Sequence, residues 1–418
     1  MNPIRQHARI LTAALVGTTV EFYDFYIFAT ATALVFGRAF FPGASPTAQL
    51  ISAFMVFGIA FIARPVGAVA FGHFGDRVGR KSTLVASLMV MGGSTLAIAF
   101  LPTYAQAGWI APVALCVLRF GQGFGLGGEW GGAALLAVEY APEGWKSRFG
   151  AAPQLGAPIG FLAANGLFLL LGVWLSPADF FAWGWRVPFL VSAVLVGVGL
   201  WVRLKIAETP AFAAALEKGE RHAVPLWPLV KGYWRALLAG NAAVIACFAI
   251  FYLATAYALA QATGTLHYAR ESFLGVQLAA NLFLALGILV AAVWGDRASP
   301  ERVLIWGAVL AMGVGAVFGL ALGSGSLWLI FATLAAALFA MGLVYGPLGG
   351  WLPHLFPVPL RYSGISIAFS AGGIVGGAFT PILATKLAGA GHGALVGLLI
   401  SAAAVVSLVG VISAKRVS

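Results

Sequence analysis

Charge is what this sequence has least of. Aspartate, glutamate, lysine and arginine make up 9% of the 418 residues, while 61% are hydrophobic. So few charges exclude an ordinary water-soluble domain. Cysteine is almost absent: Cys116 and Cys247 each lie inside an apolar run, far apart, which excludes a disulfide framework and metal-ligand spacing. The six histidines stand singly, and there is neither a His-Glu-x-x-His pair nor a serine elbow. The chain therefore offers no constellation for hydrolytic or metal-assisted chemistry, and an enzyme is not expected. Acidic residues number 13 against 24 basic ones, a formal charge of +11. The basic residues are scattered through short breaks rather than gathered into a stripe, so no nucleic-acid partner is expected, and no metal or cofactor.

What is present is apolar sequence in long runs. They lie near 10–37, 48–72, 82–101, 109–138, 148–175 and 184–204, then near 233–261, 272–294, 303–323, 326–350, 364–390 and 393–413. Short breaks of proline, glycine and charge separate them. Each run is near the roughly 20 residues that an α-helix needs to cross a bilayer. The reading is an all-α polytopic membrane protein of twelve transmembrane helices. The first run continues past Glu21 and Asp24 without a small-residue cleavage site, so a removable signal peptide is not expected. Apart from Arg64 and Arg119, which lie inside spans, only Arg38, Arg186, Arg270 and Lys386 fall on one face, and the remaining lysines and arginines fall on the other. The positive-inside rule then puts both termini and the middle connector in the cytoplasm.

A dense charged turn, Gly72-His73-Phe74-Gly75-Asp76-Arg77-Val78-Gly79-Arg80-Lys81, joins the second and third runs. A reduced copy, Gly295-Asp296-Arg297-Ala298-Ser299-Pro300-Glu301-Arg302, stands at the equivalent junction of the second half. The chain therefore reads as a duplicated six-helix unit: a first bundle over 1–204, a connector over 205–232 and a second bundle over 233–418. In such folds the substrate lies between the halves near the midplane. Because the second copy lacks the internal glycine and the terminal basic pair, a weaker latch is expected there. In the connector, Thr209 can cap a helix beginning at Pro210, which predicts a short surface helix.

Several charges stand inside apolar runs: Glu21, Asp24, Arg64, Arg119 and Glu129, with Glu139 near a helix end. A charge at the bilayer centre costs at least about 2.5–3.5 kcal/mol, so each should face a partner or a wet cavity. Glu21 and Asp24 share a helical face with Phe25 and Phe28. Arg119 presents a planar donor fork suited to a carboxylate. Depth along the helices predicts two pairs, Asp24 with Arg119 and Arg64 with Glu129. The second half has no comparable charge. Its polar groups, among them Tyr252, Asn281 and Tyr345, offer hydrogen bonds and ring faces.

Several stretches together resemble one family. They are Val20-Glu21-Phe22-Tyr23-Asp24-Phe25-Tyr26, Ala63-Arg64-Pro65-Val66-Gly67, the charged turn, Leu118-Arg119-Phe120-Gly121-Gln122-Gly123, Trp185-Arg186-Val187-Pro188-Phe189 and Glu208-Thr209-Pro210-Ala211-Phe212. The family is the metabolite:proton symporters of the major facilitator superfamily. The resemblance implies the major facilitator fold of two pseudo-symmetric six-helix bundles, set in a bacterial inner membrane and working by alternating access. It implies proton-coupled uptake of a small organic anion such as a mono- or dicarboxylate, driven by the proton gradient without a cofactor, in a protein that functions as a monomer. Transport of a zwitterion such as proline or betaine, and proton-driven export, are the alternatives. The extended tail of osmoregulatory members is missing, which favours the anion. On this reading Arg119, Tyr23, Gln122, Tyr252, Tyr345 and Asn281 bind substrate. Asp24, with Glu21 and Glu129, carries the proton, Arg64 is an intramembrane partner, and Asp76, Arg77, Arg80 and Glu139 form a cytoplasmic gate.

Overall fold

The computed structural model describes residues 3–78, 80–127, 129–205, 226–357 and 360–414, with their side chains except at 72–78, 80–84, 129, 130, 133, 136, 202–205 and 226–228. The connector helix predicted after Thr209 lies outside the described residues. So do the side chains of Asp76, Arg77, Arg80 and Glu129.

In hydrocarbon a backbone must satisfy its own polar groups, and long apolar runs therefore fold as helices. Among the described residues ten helices are long and apolar enough to cross a membrane, and two shorter apolar helices complete the predicted twelve. In chain order they are α1 (Ala8–Phe40), α2 (Pro46–Val78), α3 (Arg80–Ala99) and α4 (Ile110–Leu126, continued by Glu129–Glu139). Next come α5 (Lys146–Trp174), α6 (Gly184–Trp201), α7 (Leu229–Gly264) and α8 (Arg270–Arg297). The last four are α9 (Pro300–Leu322), α10 (Leu327–Leu355), α11 (Arg361–Gly389) and α12 (Gly393–Ser413). Local chemistry fixes several starts. Ser299 accepts a hydrogen bond from the Arg302 N–H ahead of Pro300, and Ser326 accepts from the Leu329 N–H.

The packing shows the duplication. In the first half α1 packs on α5 and α6, α3 on α4 and α6, and α2 on α4. Shifting every number by six gives the second half: α7 on α11 and α12, α9 on α10 and α12, and α8 on α10. The halves meet along two seams that the same shift interchanges, α5 with α8 and α2 with α11. At the second seam the Phe61 ring sits on bare backbone. A Cβ at Gly377 would lie 2.5 Å from Phe61 Cζ, so glycine is needed for this approach.

Helix α8 grips α5 at both ends. At the face rich in lysine and arginine, here the basic face, Asp296 accepts from the Ser147 N–H at 2.7 Å and the Arg148 N–H at 3.3 Å. Its carboxylate also pairs with the Arg148 side chain at 3.5 Å. At the far face Arg270 donates to the Gly172 carbonyl at 3.3 Å, pairs with Glu271 at 2.6 Å and lies 3.7 Å from the centre of the Phe180 ring. An acid thus meets the positive end of α5 and a base its negative end, the favourable sense at both. The reduced turn, which has lost a glycine and two basic residues, caps α5 through the aspartate it retains. Glu139, expected in the other latch, is exposed at the end of α4.

Removing a helix cap costs about 1–2 kcal/mol, or about tenfold in a local opening equilibrium. In a Cys116→Ala/Cys247→Ala background, Asp296→Ala should therefore raise the maleimide reactivity of Ser147→Cys about tenfold. An unchanged labelling rate would show that Asp296 does not hold this seam.

Candidate functional site

The four described charges buried within the membrane-spanning helices, Glu21, Asp24, Arg64 and Arg119, all belong to the first bundle. Two acids balance two bases, as burial demands. Glu21 and Asp24 share one face of α1 with Phe25, because residues three and four apart line up on a helix.

Arg119 is 0% exposed. Its Nη1 donates to Gln122 Oε1 at 3.0 Å, one turn along α4, and its Nε to the Phe57 carbonyl of α2 at 3.3 Å. Its Nη2 has no hydrogen-bond partner among the described residues. The guanidinium carbon lies 3.9 Å from the centre of Phe28, 4.3 Å from Phe25 and 4.9 Å from Phe57. Ring faces carry partial negative charge and offset part of the cost of taking this cation out of water.

Asp24 was expected to pair directly with Arg119. The structure places two side chains between them. Gln122 Nε2 donates to Thr95 Oγ1 at 2.7 Å, and Thr95 Oγ1 lies 3.1 Å from Asp24 Oδ2. Ser192 on α6 donates to Asp24 Oδ1 at 2.5 Å. The depths expected from the sequence agree, but the rotation of α1 turns Asp24 toward α3 and α6, so α3 supplies the link. Thr95 Oγ1 also lies 3.0 Å from the Met91 carbonyl. Its single hydrogen can go to ionised Asp24. When Asp24 is protonated, the acid can donate to Thr95 and the hydroxyl can turn to Met91, while both lone pairs of Thr95 accept. The chain from Arg119 to Asp24 thus stays hydrogen-bonded in both protonation states.

Arg64 meets Glu21, at 3.7 Å between Nη2 and Oε1, and the side chain of Glu129, its predicted partner, lies outside the described residues. Glu21 precedes Asp24 by nearly one turn of α1, and its side chain reaches α2 from there. Arg64 also lies 4.6 Å from the centre of Phe25. One ring therefore faces both guanidiniums.

Of the other predicted site residues, Tyr252 packs against Phe57 at 5.0 Å and Phe25 at 6.2 Å between ring centres, and so closes the cage of Arg119 from the second bundle. Tyr345 meets Phe22 edge-on at 6.3 Å across the seam, and its carbonyl accepts from Gln154 at 3.0 Å. Asn281 donates to the Pro158 carbonyl at 2.9 Å, bridging α8 and α5. Tyr23 is not brought to the seam: its hydroxyl donates to the Pro188 carbonyl at 3.0 Å inside the first bundle. It follows Phe22 on a helix whose neighbouring residues point to different sides. Sequence reasoning missed Thr95, Ser192, Phe57 and Phe61. A threonine and a serine in apolar runs were the only signals for the first two.

Two acids and two bases buried among membrane-spanning helices, seams where rings approach bare glycine, and clasps at the helix ends describe a two-bundle membrane transporter. The family model for sugar (and other) transporters matches residues 10–224. The inner membrane metabolite transport protein YhjE of Escherichia coli K12 is 43% identical, covering 98% of this chain and 94% of that protein. The shikimate transporter of the same strain is 36% identical over 91% of this chain and 87% of its own. The proline/betaine transporter of Salmonella typhimurium is 31% identical over 91% and 77%. In fold, the xylose transporter XylE from E. coli, in a partially occluded inward-open conformation, superposes with a TM-score of 0.75 at 16% identity, over 96% of this chain and 97% of that one. The chain belongs to the sugar (and other) transporter family and, within the major facilitator superfamily, to the metabolite:proton symporters. It is a multi-pass membrane transporter rather than an enzyme.

Thr95→Val keeps the shape of the side chain and removes the hydroxyl, leaving the Gln122 amide and an Asp24 oxygen unsatisfied. A loss of about 1–3 kcal/mol is expected, seen as a lower thermal midpoint of the detergent-purified protein, with Thr95→Ser near wild type. Equal midpoints for all three proteins would contradict the relay.

Proposed function

We propose that the protein is a proton-coupled symporter that carries a small organic anion, a mono- or dicarboxylate, into the cell. The observation that carries this reading is the free Nη2 of a fully buried Arg119, tied through Gln122 and Thr95 to Asp24. A carboxylate is the planar acceptor that such a donor fits best. The first half handles charge and proton. The second, with Tyr252, Tyr345 and Asn281, shapes the pocket.

Alternating access follows from rocking of the bundles 1–204 and 233–418 about the connector. With the seam open at the far face, Asp24 takes a proton. The relay then turns toward Met91, the net negative charge beside Arg119 falls, and Arg119 holds the incoming carboxylate. After the far clasp at Arg270 closes and the Asp296 clasp opens, Asp24 loses its proton and its charge competes again for Arg119, which releases the anion. The basic face is cytoplasmic by the positive-inside rule. The proton gradient is the energy source, no cofactor is needed, and one chain contains both halves of the site.

A ligand that binds the folded form raises its melting temperature by mass action. Screened against mono-, di- and tricarboxylates, sugars, betaines and amino acids, the purified protein should be stabilised by carboxylates. A response confined to betaines or proline would overturn the anion reading. With the stabilising carboxylate, Asp24→Asn should retain exchange across proteoliposomes and lose accumulation driven by a pH gradient. Accumulation that survives the substitution would remove Asp24 from the proton path.

A further inference from the structure

We propose that Arg64, together with Ser366 of the facing bundle, forms a second binding station for the same small carboxylate, one step nearer the basic face than Arg119. It rests on the reading of Arg119 as the first holder of the anion. Arg64 follows Phe57, whose carbonyl binds Arg119, by seven residues, which sets it about 10 Å farther along α2 toward the basic face. A cavity of about 10 Å³ on the seam, room for about one water, is lined by Glu21 and Arg64, by Gly127 and Gly131 beside and on α4, and by Ser366 and Ser370 of α11.

Two buried polar atoms of residues that line this cavity lack a hydrogen-bond partner among the described residues: Arg64 Nε and Ser366 Oγ. They come from opposite bundles. An unsatisfied buried donor is costly, and two that converge in one cavity are what an acceptor-rich ligand relieves. The Arg64–Glu21 contact, at 3.7 Å, is longer than a charge-assisted hydrogen bond, so the pair leaves Arg64 donors free for an anion. Glycine clears the wall: a Cβ at Gly131 would stand 2.6 Å from Ser366 Oγ. Phe25 joins the two stations, with its ring centre 4.3 Å from the Arg119 guanidinium and 4.6 Å from that of Arg64. An anion leaving Arg119 toward the basic face meets Arg64 next. With the seam closed the cavity has room for about one water, so the carboxylate enters as α2 and α11 begin to separate, and Ser366 of α11 stays beside Arg64 only while that separation is small.

The test measures the thermal shift of the full-length purified protein against acetate, succinate, citrate and shikimate. Arg119→Gln should keep a response with an apparent affinity about tenfold or more weaker than wild type, and adding the charge-balanced pair Glu21→Gln/Arg64→Gln should abolish it. Ser366→Ala in the Arg119→Gln background should weaken the residual response further. If Arg119→Gln alone removes every response, the second station is wrong and the Arg119 reading stands. A response that persists without both arginines also overturns the station. If Arg119→Gln changes nothing while the Glu21/Arg64 pair abolishes binding, the station stands and the Arg119 reading fails. A wild-type protein stabilised by none of the four overturns both. Should the triple variant fail to fold, Arg64→Lys with Arg119→Gln decides. That change keeps the charge and removes the forked donors, so the residual affinity should fall, and an unchanged affinity contradicts the station.

Discussion

A guanidinium taken out of water must be surrounded by groups that replace its hydration, and the first bundle is arranged to meet that demand twice. Arg119 receives a carbonyl, an amide oxygen and three ring faces, and Arg64 a carboxylate and two ring faces. Each set leaves one donor over. Those remaining donors are the ground for proposing a site here, because a purely structural pair gains from saturating every donor. On that proposal the aromatic residues of α1 and α2 provide more than packing: their ring faces lower the cost of holding a cation between visits of an anion.

In the proposed cycle the rest of the molecule determines when that site meets water. Helix α5 belongs to the first bundle and α8 to the second, and each end of α5 is held by a charge of the sign that its dipole favours. Between the clasps Asn281 bridges the same helices, while at the other seam Phe61 lies on bare glycine. Between these contacts rings of the two halves pack on one another, Tyr26 on Phe251 and Phe57 and Phe61 on Tyr252. The central charges and the end clasps are linked through rigid helices, since α1 carries the acids and packs directly on α5.

Much of this was legible in the sequence. The number of spans, the duplication and the four buried charges all followed from the cost of placing polar groups in hydrocarbon, a cost that shows residue by residue. Pairing did not follow. Depth can be counted along a helix, whereas rotation depends on how neighbours pack, so Asp24 was expected against Arg119 without the intervening Gln122 and Thr95. Thr95 and Ser192 were also hidden by their chemistry. Hydroxyls are common in spans because they can bond to their own helix, as Thr255 does to the Phe251 carbonyl and Thr263 to Leu259. Nothing in the sequence marks the threonine that reaches a carboxylate instead. The basic-face clasp rests on Asp296, which the reduced turn retains although it has lost a glycine and two basic residues.

The central claim is that a carboxylate is held by Arg119 between the bundles. An electron cryomicroscopy map of the protein with its best-stabilising carboxylate tests this most directly. Density for the anion within hydrogen-bonding distance of Arg119 Nη2, with Tyr252 closing over it and the Gln122–Thr95–Asp24 chain intact, is the predicted result. Well-defined ligand density held only by second-bundle side chains, with Nη2 still unengaged, would contradict it.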